Sequence, residues 1–145
     1  MNHNDKAESD LCKNCKKCKE ACPIKALEND YVLNKDKCLS YILQNDDIPE
    51  EAKTELENRI VDCEICQQEC PWNAKHIKQP LKTPLTLSFQ NSIPFWEDFF
   101  TLSKLIKLSE RDYEEKLGHL NSGIPYSIFH RNVLRAVEHN EKDMG

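Results

Sequence analysis

Eight cysteines, all between positions 12 and 70, constrain this 145-residue chain more than any other feature. They form two blocks that each end in Cys-Pro, with one cysteine between the blocks: Cys12, Cys15, Cys18 and Cys22, then Cys38, then Cys63, Cys66 and Cys70. Closely spaced cysteines on a tight loop can wrap one corner of an iron–sulfur cubane, whose fourth thiolate must come from elsewhere in the chain. The pattern therefore predicts two 4Fe–4S clusters.

The spacing also predicts which thiolates share a cluster. The first block reads CxxCxxCxxxCP, as in bacterial two-cluster ferredoxins, where the fourth cysteine ligates the other cluster. Cluster one is predicted to be held by Cys12, Cys15, Cys18 and, by pseudo-symmetry, Cys70. Cluster two is predicted to be held by Cys22, Cys38, Cys63 and Cys66.

Zinc binding and disulfide bonding are the two alternative uses of these cysteines. Zinc could be bound by the CxxC pairs that begin at Cys12 and Cys63, but this leaves four cysteines without a role. A disulfide framework needs an oxidising compartment, whereas residues 1–6 are polar and show no apolar core of an export signal. We therefore favour two iron–sulfur clusters in a cytoplasmic protein.

The composition agrees with a fold that metal helps to stabilise. Apolar residues make up 39% of the chain and the mean hydropathy is -0.72, which is lean for an unaided core of this size. No stretch approaches the roughly 18 apolar residues of a membrane span, so no membrane partner is expected. The net charge of -5 does not indicate general nucleic-acid binding.

Lysines are concentrated around the first cysteine block: Lys13, Lys16, Lys17, Lys19 and Lys25. Solvated lysines that offset the charge of an anionic cluster are the simpler interpretation. The alternative is a docking face for an acidic redox partner or for RNA phosphate. The sequence does not separate these interpretations.

The pattern along the chain predicts four regions: a disordered polar lead at 1–10, a two-cluster ferredoxin-like domain at 11–75, an extended, proline-containing connector at 76–94, and a helical region at 95–145. Within the second region we expect a strand at 31–34, a helix at 38–43 that delivers Cys38, and a helix at 49–58. The predicted fold class is α+β and mainly helical, with a helical insertion and an all-α tail.

The C-terminal region shows helical periodicity. One apolar face is predicted from residues between 95 and 108: Phe95, Trp96, Phe99, Phe100, Leu102, Leu105, Ile106 and Leu108. Ser109 and Asp112 form a capping signal for a helix that ends near Gly118. A last helix at 126–140 is expected to bury Phe129, Val133, Leu134 and Val137.

Several segments together resemble the C-terminal half of the epoxyqueuosine reductase family. The most telling are Cys-Leu-Ser-Tyr at 38–41, Cys-Pro-Trp-Asn at 70–73 and Arg-Asn at 131–132, within a resemblance that covers about residues 9–140. Generic ferredoxins have none of these. The chain starts just before the first cluster block, so the family's N-terminal cobalamin and substrate half is expected to be missing.

The resemblance implies a role in the reduction of epoxyqueuosine to queuosine in tRNA. It implies that the clusters feed electrons to a cobalamin held mainly by another chain, with flavodoxin or ferredoxin as the electron donor. Ser40, Asp62 and Cys63 would lie toward the cobalamin. The alternatives are a helix hydroxyl bonded to the backbone for Ser40, and a loop or capping carboxylate for Asp62, which is the simpler interpretation of that residue. No residue here can be named as a catalytic acid, so the chain is expected to be inactive alone.

Three functions from different classes are compatible with these observations. The first is the electron-transfer part of an epoxyqueuosine reductase-like enzyme. The second is a free-standing two-cluster ferredoxin, against which the helical tail counts because a small carrier does not need one. The third is a truncated, noncatalytic remnant that binds RNA or serves assembly, with structural clusters.

Overall fold

The ferredoxin-like part consists of short helices around one small hairpin. We describe residues 12–77, 87–118 and 123–143 of a computed structural model. Helix α1 spans Lys17–Ala21, and the hairpin pairs strand β1 (Leu27–Asn29) antiparallel to β2 (Val32–Leu33), with Leu27 opposite Leu33. The predicted strand at 31–34 is confirmed as β2, whereas its partner β1 was not foreseen.

The segment between Cys38 and Cys63 forms a helical insertion with its own apolar core. A 3-10 helix (Lys35–Lys37), capped by the Asn34 side chain, leads into α2 (Leu39–Leu43), and α3 (Glu50–Lys53) follows. Five residues form the buried core of the insertion: Leu39, Ile42, Leu43, Ala52 and Leu56. Because Ile24 and Cys63 pack against this core, the insertion joins both cysteine blocks.

Two further helices complete the second block. Helix α4 (Ile65–Gln68) carries Cys66, and Pro71 opens α5 (Pro71–Ile77) directly after Cys70. Proline suits the first helical turn, since the N–H that it lacks would have no partner within the helix. The chain therefore changes direction just beyond Cys70.

The C-terminal region is all-helical in its described residues. It contains α6 (Leu87–Phe99), α7 (Leu102–Leu105), α8 (Glu110–Tyr113) with a π-helical turn at Glu114–Gly118, and α9 (Tyr126–Asp143). Its buried core consists of Phe99, Leu105, Leu108, Tyr113, Leu117, Phe129 and Val133. The predicted cap is confirmed, because Ser109 Oγ accepts a hydrogen bond from the Asp112 N–H at 3.2 Å.

The structure corrects the predicted connector at 76–94. Residues 87–94 belong to α6, which continues through Pro94, and 76–77 belong to α5, so neither part is extended. Proline removes one helical hydrogen bond, but the following Trp96 and Phe99 pack edge to face and Phe99 enters the core. Pro80 and Pro84, like the predicted lead at 1–10, lie outside the described residues.

Three further expectations are wrong in detail. The helix predicted at 49–58 ends at Lys53, and turns follow it to a left-handed residue at Glu57. Phe95, Phe100 and Leu134 are exposed instead of buried. The side of α9 that faces the core carries Ala136 and Asn132 in the place expected for Leu134.

None of the helices in the described part of the chain is both long enough and apolar enough to cross a membrane.

Candidate iron–sulfur centre

The two cysteine blocks lie side by side because α1 contacts α4. Cys18 lies within α1, and Cys22 caps its C-terminal end. Cys66 lies within α4, and Cys70 follows the end of that helix. The fold therefore places the end of each block beside the other block, as the predicted exchange of the fourth ligand requires.

A hydrogen-bonded carboxylate joins the segments that carry Cys38 and Cys63. Cys38 is the N-cap of α2, and Ser40 lies in the first turn of that helix. The Ser40 hydroxyl donates to Asp62 Oδ1, which also accepts from the Cys63 N–H at 2.8 Å. Ser40 and Asp62 thus meet next to two cysteines predicted for cluster two.

Three other cysteine thiols influence the electrostatic environment of Cys66. Burial raises the pKa of the Cys66 thiol, and the nearby thiols of Cys63, Cys38 and Cys22 raise it further. These three thiols and Cys66 are the four that the spacing assigns to cluster two. The structure brings this set together, and the assignment of ligands remains a prediction.

The residues around this set suit an iron–sulfur cluster. The Ala26 N–H donates to Cys22 Sγ at 3.3 Å, and Gln67 Nε2 lies 4.0 Å from Cys66 Sγ. N–H groups directed at sulfur stabilise thiolate charge, and such contacts tune cluster potentials. Ile24 and Cys63 lie against the apolar core of the insertion. The donor set is soft and partly shielded from water, which fits a cubane.

The thiols predicted for cluster one lie nearer to solvent. Cys12 and Cys15 are exposed, whereas Cys18 and Cys70 are partly buried. The Cys15 N–H donates to the Cys12 carbonyl at 2.6 Å, and Lys13 between them has a left-handed backbone with φ of 39°. This tight turn is the loop that the CxxC spacing requires. We therefore expect cluster one to be the more accessible of the two.

No disulfide framework forms in the structure. All eight thiols, which fall within the described residues, are free of disulfide bonds.

The lysines near cluster one are divided by the structure into two groups. Lys19 pairs with Asp30 at 3.1 Å, and Lys25 donates to the Glu20 carbonyl at 2.9 Å. Lys13, Lys16 and Lys17 are exposed and have no acidic partner within ion-pair distance among the described residues. These three leave a positively charged surface beside the exposed Cys12 and Cys15.

Sequence reasoning missed a polar row on α9 that reaches the insertion. Arg131, Asn132 and Arg135 donate to backbone carbonyl groups between residues 43 and 60. Burial lowers the pKa of Arg135, and the neighbouring Arg131 and Arg59 lower it further. The sequence does indicate this contact, because Asn132 is a polar residue among Phe129, Val133 and Ala136 on the apolar side of the helix.

Comparison with known proteins identifies the class first. A family described as a 4Fe–4S double cluster binding domain matches residues 11–73, which contain all eight cysteines. The chain therefore contains a double-cluster iron–sulfur domain, as the spacing of its cysteines predicted, and the predicted fold class is confirmed.

Individual epoxyqueuosine reductases are also similar to this chain. An epoxyqueuosine reductase of Bacillus subtilis (strain 168) is 33% identical over 132 residues, which are 90% of this chain and 32% of that protein. One of Prochlorococcus marinus (strain NATL2A) is 47% identical over 76 residues, which are 50% of this chain and 24% of the relative. The chain is therefore homologous to one part of the epoxyqueuosine reductases, the part that carries the double-cluster domain.

Solved structures agree with this relationship. The structure of the Bacillus subtilis epoxyqueuosine reductase matches with a TM-score of 0.72 and 31% identity, over 93% of this chain and 35% of that one. A second structure, a crystal structure of epoxyqueuosine reductase with an epoxyqueuosine-modified tRNA-Tyr stem loop, matches with a TM-score of 0.69 and 29% identity over the same shares. The chain spans about a third of the length of these relatives.

Proposed function

We propose that this chain is the electron-transfer part of an epoxyqueuosine reductase-like enzyme. The observation that carries the proposal is the double-cluster region at 11–73, which contains all eight cysteines, within a homologue of such enzymes. When bound, the two 4Fe–4S clusters supply one-electron steps. The chain's own residues hold the clusters, shield the second one and receive the electron donor.

The ligand assignment is part of the proposal. Cluster one is held by Cys12, Cys15, Cys18 and Cys70, and cluster two by Cys22, Cys38, Cys63 and Cys66. The exposed Cys12 and Cys15 support electron entry at cluster one, and the partly buried thiols around Cys66 support exit through cluster two.

The electron donor docks on the surface formed by Lys13, Lys16 and Lys17. Their exposed charge beside the cluster-one loop suits an acidic protein, such as a flavodoxin or ferredoxin, because complementary charge speeds encounter. The ion pair of Lys19 and the backbone contact of Lys25 leave these two lysines engaged within the chain.

The acceptor of the electrons is a cobalamin bound mainly by protein outside these 145 residues. Ser40, Asp62 and Cys63 are the residues of this chain that face it. Their support is the hydrogen-bonded link between Ser40, Asp62 and the Cys63 N–H at the edge of the cluster-two thiols. The substrate is epoxyqueuosine in tRNA, reduced to queuosine in the cytoplasm, and a relative bound to a tRNA stem loop supports this choice.

Reconstitution tests the proposal. The chain is loaded anaerobically with iron and sulfide, and cobalamin binding is titrated with and without a cobalamin-binding domain of an epoxyqueuosine reductase. Two clusters per chain, cobalamin bound only in the mixture, and epoxyqueuosine reduced only by the mixture are expected. Two clusters that exchange electrons with a flavodoxin while every mixture lacks cobalamin would favour a free-standing ferredoxin and contradict the proposal.

A further inference from the structure

One buried amide on the last helix holds both ends of the insertion. Asn132 is 0% exposed. Its Nδ2 donates to the Leu43 carbonyl at 2.8 Å and to the Ile60 carbonyl at 2.7 Å. Its Oδ1 accepts from Arg131 Nε and Nη2 at 3.2 and 2.9 Å. Both amide hydrogens and the amide oxygen are therefore used.

Arg131 and Arg135 also bind the insertion, each near one of its two ends. Arg131 Nη1 donates to the carbonyls of Asn45 and Asp46, at 2.7 and 2.5 Å. Arg135 donates to the carbonyls of Glu57 and Arg59 through its two terminal nitrogens. The three side chains thus clamp the insertion at the point where its two ends come together.

The two ends that are clamped lead directly to cysteines of cluster two. Leu43 is the last residue of α2, whose N-cap is Cys38, and the Cys38 carbonyl accepts the Ile42 N–H at 2.9 Å. Ile60 precedes Cys63 by three residues. A displacement at Leu43 or Ile60 is therefore passed to a ligand through a short, ordered segment.

We infer that Asn132, supported by Arg131 and Arg135, is a positioning residue that brings Cys38 and Cys63 to the second cluster. The inference rests on the proposed function, because it takes the second cluster to be held as stated there. It gives the C-terminal helix a role in the redox centre, although none of these three side chains lies near a thiol in sequence.

The physical reason is the convergence that a cubane demands of its four thiolates. Without the amide, the buried Leu43 carbonyl and the partly buried Ile60 carbonyl lose their donor, and the ends of the insertion separate more easily. The remaining link between Ser40 and Asp62 is more exposed to water. Cluster one takes only Cys70 from beyond the insertion, and Cys70 lies further along the chain from Ile60 than Cys63 does, so its geometry depends less on the clamp. The expected defect is therefore selective for cluster two.

The test compares anaerobically reconstituted variants of the full chain. Asn132→Ala removes the central amide of the clamp, and Leu105→Ala serves as a matched control, since it opens the C-terminal core without removing a bond to the insertion. Arg131→Met is a milder variant at a partly exposed position, and Arg131→Lys is its conservative counterpart. The readouts are iron per chain, the electron paramagnetic resonance signal of each reduced cluster and both reduction potentials.

We expect Asn132→Ala to lose about half of its iron, with the cluster-two signal lost and the cluster-one potential unchanged. Arg131→Met should keep both clusters but shift the potential of cluster two, and Arg131→Lys should restore part of that shift. If Asn132→Ala does not fold, the reduction potentials of cluster two in the two Arg131 variants test the inference instead. Leu105→Ala should retain both clusters.

Two results would overturn the inference. One is an unchanged cluster-two signal and potential in Asn132→Ala and Arg131→Met. The other is an equal loss of cluster two in Leu105→Ala, which would show a general effect of stability. Fewer than two clusters in the unmodified chain would instead contradict the proposed function, so the two failures are distinguishable.

Discussion

The Ser40 hydroxyl donates a hydrogen bond to the Asp62 carboxylate across 22 positions of sequence. Asp62 in turn accepts the N–H of Cys63, so one carboxylate oxygen connects the helix that follows Cys38 with the chain that enters the second cysteine block. A negative charge is thereby placed beside the thiols predicted for cluster two.

Asp62→Asn is expected to raise the reduction potential of cluster two. The amide keeps an oxygen that can accept from Ser40 and Cys63, but it removes a charge that opposes the more negative, reduced cluster. The increase should be on the order of tens of millivolts, since Asp62 is exposed and its field is screened. Redox titration followed by electron paramagnetic resonance measures it.

Glu51→Gln is the matched control, because it removes an exposed carboxylate in the insertion. Its effect on cluster two should be smaller, and Ser40→Ala, which keeps the charge, should also shift the potential less. A lower or unchanged potential in Asp62→Asn would contradict the account of this carboxylate.

Gln67→Leu is expected to act in the opposite direction. Gln67 Nε2 approaches Cys66 Sγ at 4.0 Å, and its loss removes a donor that stabilises negative charge on sulfur. A neutral hydrogen bond of about 0.5–1 kcal/mol corresponds to roughly 20–40 mV for a one-electron couple, so the potential should fall by up to this amount. The same redox titration applies.

Gln68→Leu provides the comparison, since Gln68 is an exposed neighbour in α4. Equal shifts in the two leucine variants would mean that added apolar surface, and not the sulfur contact, sets the change.

The Cys38→Ala variant should lose cluster two and retain cluster one. Its thiol is one of three that raise the pKa of Cys66 by proximity, and the spacing assigns it to no other cluster. Iron should fall from about eight to about four atoms per chain after anaerobic reconstitution, with one cubane signal remaining. Retention of both clusters in this variant would refute the ligand assignment.

Reversal of charge at Lys16 and Lys17 is expected to slow electron entry. Replacement of both by Glu places negative charge beside the cluster-one loop, so the rate of reduction by an acidic flavodoxin should fall on the order of tenfold or more at low salt. The difference should shrink at high ionic strength. Stopped-flow reduction of the clusters measures this rate.

Lys107→Glu is the control for this pair, because Lys107 is an exposed lysine of the C-terminal region. This control changes the net charge half as much as the pair does. A logarithmic reduction in rate half as large there would attribute the effect to net charge and would argue against a docking surface near Cys12 and Cys15.

Ser109→Ala should destabilise the C-terminal helices by about 0.5–2 kcal/mol, the usual cost of a lost N-cap. The hydrogen bond from Ser109 also holds the pKa of Asp112 below its ordinary value of 3.8, and the nearby Lys116 lowers it further. A depressed carboxyl pKa contributes stability that is present above the unfolded pKa and is lost as pH falls through the folded one.

The difference in unfolding free energy between Ser109→Ala and the unmodified chain should therefore be constant from pH 8 to 5. It should narrow below about pH 4, where Asp112 becomes protonated. Urea unfolding followed by helical circular dichroism provides the measurement, with Ser103→Ala in α7 as a serine control outside a cap. A difference that widens on acidification would contradict the account.

The parts of the fold that were predicted correctly depend on local sequence patterns. The helix that delivers Cys38, the strand at Val32–Leu33 and the Ser109 cap each depend on neighbours within a few residues. The cysteine spacing likewise led to the double-cluster domain at 11–73, because ligand geometry restricts which spacings can surround a cubane.

Long-range packing explains what the sequence did not predict. Helix α6 continues through Pro94 because aromatic packing beyond it outweighs one lost hydrogen bond. The number of prolines in a segment does not predict whether packing compensates for a lost hydrogen bond. The bonds from Asn132 to Leu43 and Ile60 join positions 89 and 72 residues apart, so no local pattern specifies them. Only the placement of an amide on an apolar helix face indicated that it had a buried partner.

The most direct test of the central claim is the count of iron and acid-labile sulfide in the full chain after anaerobic reconstitution, with Mössbauer spectroscopy to identify the clusters. The account predicts about eight atoms of each per chain, all in 4Fe–4S centres. Four or fewer iron atoms, or stable binding of zinc in their place, would contradict it.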